Sequence, residues 1–190
     1  MQISLRFAAL GLAMLAASSL STTPPAQART QRNLARSAQL FVQRFYDEVV
    51  TASNRNGSAA EHSSDFPLDP ELERLLKLDE EESDAFPGEI AGLDFDPFAA
   101  GNDVAAKYDV GRVERRGDRY YVDVYHNWTG KKREARPSHA IELSRRGGRW
   151  TIMNVHYYSE PNDPPARTFD LISTLHACRK ERQERQAQPH

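Results

Sequence analysis

Three carboxylates, Asp94, Asp96 and Asp103, crowd into one short stretch, Gly92-Leu-Asp-Phe-Asp-Pro-Phe98 and its continuation to Asn102-Asp103. Two chemistries fit them. Carboxylates that face a cleft hold a cation or a polar ligand, and if buried together they raise one another's pKa. Asp side chains also accept N–H bonds from the backbone just ahead of them, and Pro97 forces its predecessor out of the helical region. Both readings are open from sequence. Leu93, Phe95 and Phe98 are the apolar anchors that would pin such a turn to a core.

A second set of groups lies further along. Tyr108, Tyr121, Asp123, His126 and His156 stand on strand-like segments and complete the candidate ligand-binding set. Asp123 with His126 or His156 is the candidate acid–base pair, although alternation along a strand puts Asp123 and His126 on opposite faces. No catalytic residue is assigned. The His residues are too scattered for a zinc site. There is no Gly-x-Ser-x-Gly, phosphate loop or dinucleotide fingerprint. No metal or cofactor is implied. The single Cys, Cys178, permits no internal disulfide and reads as a helix residue, either buried and inert or paired between chains. The acidic run Asp79–Asp84 lacks the alternating ligands and central Gly of a calcium loop and reads as a solvated helix end.

The elements that must position these groups follow from periodicity. Leu34, Ala38, Phe41, Phe45 and Val49 form one apolar helical face, with Gln39, Gln43, Arg44, Asp47 and Glu48 largely on the rest of the surface. Tyr46 flanks that face as a packing residue. Asp69-Pro70-Glu71 announces a second helix, with Asp69 as cap and Pro70 at the first position. Four strands follow: Val104–Arg115, Arg119–Thr129, Ser138–Arg145 and Arg149–Tyr158, joined by turns at Arg116-Gly117-Asp118 and Arg146-Gly147-Gly148. On the second strand Tyr120, Val122, Val124, His126 and Trp128 share a face. The fourth carries apolar residues on both faces, which suggests a central strand. Thr168 is the expected cap of a last helix through Phe169, Leu171, Ile172 and Leu175 to Cys178. The expected fold is α+β, with N-terminal helices packed on a curved antiparallel sheet of about four strands and a C-terminal helix. It forms one domain over residues 29–178, and residues 179–190 are a charged tail expected to be disordered.

Residues 1–28 read as a removable signal peptide. Arg6 precedes the apolar run Phe7–Ala17, and Ala26-Gln27-Ala28 fits a small-x-small cleavage site. That run is too short to span a bilayer. Removing it takes away Arg6 and no acid, so a formal net charge of −2 becomes −3. This balance gives no reason to expect nucleic acid. Asn127-Trp128-Thr129 has the form of a glycosylation acceptor. In a bacterial protein it carries no meaning.

Two features together, the helix Phe41-Val-Gln-Arg-Phe-Tyr-Asp47 and the hairpin sheet that ends in Gly148-Arg-Trp-Thr-Ile152, resemble the nuclear-transport-factor-2-like superfamily. Leu68–Leu76 with Gly88-Glu-Ile-Ala-Gly-Leu-Asp-Phe-Asp-Pro-Phe98 is similar to a narrower bacterial secreted family, domain of unknown function 3828. The resemblance covers roughly residues 38–176. It implies a cone of helices wrapped by a curved sheet, and no activity carries over from the narrower family. The superfamily includes isomerases, dehydratases, ligand carriers and structural modules, so fold alone selects none of them. Its enzymes place an Asp–His or Tyr–Asp pair inside the cone, and its members often dimerise through the outer sheet face. The leading expectation is an exported periplasmic, non-enzymatic domain that binds a small molecule or a periplasmic protein. The alternatives are a small-molecule lyase, isomerase or hydrolase, and an immunity-type inhibitor of a periplasmic toxin.

Overall fold

A computed structural model describes residues 25–54, 66–84, 92–158 and 167–187. The apolar run at 7–17, the polar loop at 55–65, the connector at 85–91 and the proline segment at 159–166 lie outside the described residues.

Helix α1 (Pro25–Ser53) buries Ala38, Val42, Phe45, Tyr46 and Val49 against the sheet. Their spacing of three and four residues makes one continuous apolar stripe. The helix also begins earlier than its apolar face, so Ala26–Ala28 form part of its first turn. Helix α2 (Pro70–Asp84) starts as its cap predicts, with the Asp69 carboxylate accepting the Glu71 N–H at 3.1 Å. Strands β1 (Lys107–Arg116), β2 (Arg119–Asn127), β3 (His139–Arg146), β4 (Arg149–Tyr158) and β5 (Arg167–Asp170) form one antiparallel sheet in chain order. Helix α3 (Leu171–Gln186) follows directly. The fold is α+β and the sheet is open.

Four expectations need correction. The sheet has five strands, because Thr168 and Phe169 belong to β5 and the cap of α3 is Asp170, whose carboxylate accepts from Ser173 N–H at 3.0 Å. The tail is helical to Gln186, because Arg182, although charged, is 8% exposed and clamped between Asp79 at 2.8 Å and Glu82 at 2.8 Å on α2. The same clamp means that Asp79 is buried rather than on a solvated helix end. Finally, Gln39 and Gln43 do not simply face water. Gln39 donates to Gly111 O at 2.6 Å, while Gln43 donates to Tyr108 O at 3.0 Å and accepts from Val110 N at 3.3 Å. They satisfy backbone groups that edge strand β1 would otherwise expose.

Two bulges decide which side chains face the core. β4 keeps Trp150 and Ile152 inward, then slips between Glu142/Leu143 of its partner so that Val155 and Tyr157 face inward instead. The apolar content on both of its alternating sets therefore comes from one face read through a phase change. Opposite the bulge, Ile152 exchanges bonds with Pro67 O at 2.8 Å and Asp69 N at 2.7 Å, which ties the start of α2 to the sheet. β1 slips similarly between Val110 and Val113. There Gly111 lies so close to Tyr125 that an added Cβ would come within 2.4 Å of its ring.

Candidate functional site

The acidic stretch forms a tight turn closed on itself. Asp96 N donates to Gly101 O at 3.1 Å and Ala100 N to Asp96 O at 3.0 Å. One oxygen of the Asp96 carboxylate accepts Phe98 N and Ala99 N, each at 2.9 Å. Asp96 is thus a backbone cap. Ala100 sits in the left-handed region at φ 55°, a conformation that costs a non-glycine residue roughly 1 kcal/mol. Asp94 and Asp103 point into solvent and do not join Asp96.

With its N–H groups capped, the turn offers three successive carbonyls to the interior. Tyr157 donates to Pro97 O at 2.8 Å, and the Tyr46 hydroxyl lies 3.0 Å from Phe98 O. His126 Nε2 lies 2.8 Å from Ala99 O, which Tyr108 also approaches at 3.5 Å. Helix α1 and strands β1, β2 and β4 each supply a side chain, so the turn is bonded to four elements at once. Phe98 is fully buried against Phe45, with ring centroids 5.2 Å apart.

Behind the turn runs a chain of polar groups. Tyr46 Oη bonds His139 Nε2, and His139 Nδ1 lies 2.8 Å from Ser138 Oγ, which reaches Val124 O at 3.2 Å. Tyr46 has one hydroxyl proton to give, to Phe98 O or to His139. If it goes to His139, the imidazole donates to Ser138 and Ser138 donates to Val124 O. If it goes to Phe98 O, His139 takes its other tautomer, Nε2–H donates to Tyr46, and the Ser138 hydroxyl donates to Nδ1 instead of to Val124 O. Either arrangement keeps the chain neutral. Burial holds the Tyr46 phenol well above its ordinary pKa, with the neighbouring phenols of Tyr108 and Tyr157 and the Asp96 carboxylate acting in the same direction. Burial, aided by His126, holds His139 well below the ordinary imidazole value. Tyr108 is pushed up to about 12 by burial, against a bond from Ala105 N–H that lowers it.

Where this chain reaches the surface there is a cleft of about 170 Å³ between the turn and the end of the sheet. Phe95, Ala100 and Gly101 form one wall. Ser138, Tyr157, Tyr158 and Phe169 form the other. Phe95 meets Tyr157 edge-on at 5.4 Å, and Phe169 stacks on Tyr157 at 4.8 Å while remaining 46% exposed.

The remaining predicted residues lie on the opposite face of the sheet. Asp123 accepts from the Tyr158 hydroxyl at 2.8 Å and pairs with Arg112 at 3.4 Å. His156 bonds Glu142 at 2.6 Å and meets the Tyr121 ring at 5.3 Å. Arg119 stands 3.7 Å from the same Glu142. The candidate set therefore divides: Tyr108, His126 and Asp96 gather inside, Tyr121, Asp123 and His156 outside, and Asp94 and Asp103 in solvent. Sequence reasoning missed Ser138, His139, Tyr157, Phe169 and Glu142. The signal for His139 was present, since it stands two residues before the inward Ile141. Cys178 is half-buried, unpaired and raised in pKa by burial and by Asp79, with its sulfur 3.8 Å from Gly92 O.

Among the described residues there is no cluster of three or more side chains fit to hold a metal, and no helix long and apolar enough to cross a membrane. The chain matches no family model, no curated protein and no solved structure.

Proposed function

We propose that this is an exported, non-enzymatic binding domain that seats an aromatic group in the cleft between the 94–101 turn and the ends of β3, β4 and β5. The observation that carries this reading is the cleft itself: about 170 Å³, lined by the four aromatic residues Phe95, Tyr157, Tyr158 and Phe169, with Ser138 at its edge. A buried apolar cavity of about 150 Å³ is enough to hold benzene, so the space suits one ring. The half-exposed Phe169 gives that ring a stacking partner, and Ser138 gives a polar substituent a hydrogen bond. Export rests on the residues Phe7–Ala17 and Ala26-Gln-Ala28. Kinship with the nuclear-transport-factor-2-like cone is part of the same proposal and rests on the helix and hairpin motifs.

The enzyme alternative is weaker on physical grounds. Asp123 and His126 face opposite sides of the sheet. Ser138 and His139 have the spacing of a nucleophile and its base, but His139 is fully buried and carries a lowered pKa. A general base must accept a proton as the reaction proceeds, and this site opposes that charge. Tyr46, Phe98 and Tyr108 occupy the interior where a cone enzyme keeps its substrate.

Phenol tests the proposal. Titration followed by amide NMR should move signals of Gly101, Ser138 and Tyr158 saturably. Phe169→Ala should weaken binding about tenfold, roughly the 1.4 kcal/mol that a stacked ring contributes, and Ser138→Ala a few-fold. Shifts spread over the whole sheet, or unchanged affinity in Phe169→Ala, would remove the site. A pull-down from periplasm, with Phe169→Ala as the control bait, would then identify the natural ligand or partner.

A further inference from the structure

The opposite end of the sheet carries a second, differently built cleft. It measures about 490 Å³ and lies between the first turns of α1 and the β1–β2 hairpin. That volume is within the range of small-molecule sites. Ala28, Ala35, Val113 and Tyr120 give it an apolar wall, while Gln31, Arg32 and Arg115 supply the polar groups. Among the described residues no carboxylate lines it.

The surroundings are strongly basic in a chain whose net charge is −2. Two adjacent hairpins end in the same pattern, Arg115-Arg116-Gly117-Asp118-Arg119 and Arg145-Arg146-Gly147-Gly148-Arg149. Their geometry repeats as well. Arg115 Nε donates to Gly117 O at 2.8 Å and its guanidinium lies over Tyr120 at 5.7 Å. Arg145 Nε donates to Gly148 O at 3.2 Å and its guanidinium lies over Trp150 at 5.9 Å. Tyr120 and Trp150 meet edge-on at 5.0 Å, so the two arginine–aromatic pairs form one array. Helix α1 adds Arg29, Arg32 and Arg36 and has no acidic residue before Asp47. Among the described residues, Arg32, Arg115, Arg145 and Arg149 have no carboxylate partner within ion-pair distance.

We infer that this cleft binds an amphipathic organic anion, with its phosphate or carboxylate held by Arg32 and Arg115 and its apolar body lying along Ala35, Val113 and Tyr120. Guanidinium groups match such oxyanions in geometry as well as charge. A low-dielectric wall beside them concentrates their field in the cleft. Cleavage after Ala28 would remove one lining residue and place a new α-amino group one turn from Arg32, which adds to the positive field.

Octyl phosphate, below the concentration at which it forms micelles, is the probe. Calorimetric titration of the full chain should show saturable one-to-one binding, with octanol at least tenfold weaker. Arg32→Gln and Arg115→Gln should each weaken binding about tenfold. Arg44→Gln, on the same helix but away from the cleft, should leave it unchanged. Octanol binding as tightly as octyl phosphate would overturn the role of charge. Inorganic phosphate competing on equal terms would overturn the apolar wall. Unchanged affinity in both glutamine variants would overturn the site. Binding to phosphatidylglycerol vesicles without binding of the monomeric probe would overturn the cleft in favour of surface adsorption to lipid.

Discussion

The two faces of the sheet contain similar residue types and use them in opposite ways. The inner face holds Tyr46, Tyr108, His126, His139 and Tyr157 away from water and joins most of them to backbone carbonyls. The outer face holds Tyr121, Tyr158, His156, Asp123 and Glu142 under little more than arginine side chains, and joins them as acids to bases. Inside, burial forbids charge, and Tyr46 and His139 are held in their neutral forms. Outside, the carboxylates have polar and basic partners: Glu142 is flanked by His156 and Arg119, and Asp123 by Arg112 and Tyr158. Having a Tyr, a His and a carboxylate nearby therefore does not make an active site. What matters is whether the environment lets one of them change its protonation state.

This contrast can be broken at its strongest point first. Phe98→Ala removes the ring that the turn inserts into the inner face. It should cost about 3–5 kcal/mol in urea unfolding. A loss under 1 kcal/mol would mean that the turn is only an ornament on the sheet. Tyr46→Phe comes next. It leaves either Phe98 O or His139 Nε2 without a donor in a dry interior, a loss of about 1–3 kcal/mol. Tyr158→Phe on the outer face should cost less than half as much, because the exposed Arg112 still pairs with the Asp123 carboxylate at 3.4 Å.

Acid sharpens the comparison. The folded pKa of His139 lies below its unfolded value of about 6.5, so the neutral form is favoured by folding. Stability from this group is complete above pH 6.5 and is lost as pH falls below it, by up to about 1.4 kcal/mol per unit until the folded pKa is reached. The lowered carboxylates of Asp109 and Asp170 act in the same direction, but only near and below their ordinary values of 3.8. Unfolding free energy measured at pH 7 and at pH 5 thus separates the histidine from these two carboxylates. His139→Phe should flatten that slope. An unchanged slope would assign the acid sensitivity to a group other than His139. The smallest effect belongs to the outer face. Glu142→Gln should change stability by about 1 kcal/mol or less, and the difference should shrink in high salt.

Much of the frame was legible in sequence because it depends on short-range rules. The stripe of α1, the Asp69-Pro70 cap and the two glycine hairpins each follow from residues a few positions apart. Asp96 as a cap was one of two open readings, and only the positions of Phe98 N and Ala99 N decide between them. What was not legible depends on distance or phase. The β4 bulge breaks strict alternation, so two inward sets looked like two apolar faces. β5 is four residues long, and Phe169, Leu171, Ile172 and Leu175 fit a helical spacing well enough to absorb it. The end of α3 lacks apolar anchors, as its sequence shows, but its anchor is ionic and sits on α2. The polar chain of Ser138, His139 and Tyr46 joins residues from two distant segments, and no local pattern announces such a meeting.

The three carbonyl bonds of the turn reach across 27, 52 and 60 positions of the chain, and the Asp79–Arg182 clamp across 103. Such closures form late, because the intervening loops must be ordered first. A nascent chain that stops short of Tyr157 lacks the bond that holds Pro97 O, and one that stops before Arg182 lacks the final clasp. The last two fastenings thus wait on β4 and α3, so the bend and the two outer helices are secured only after the first three strands exist.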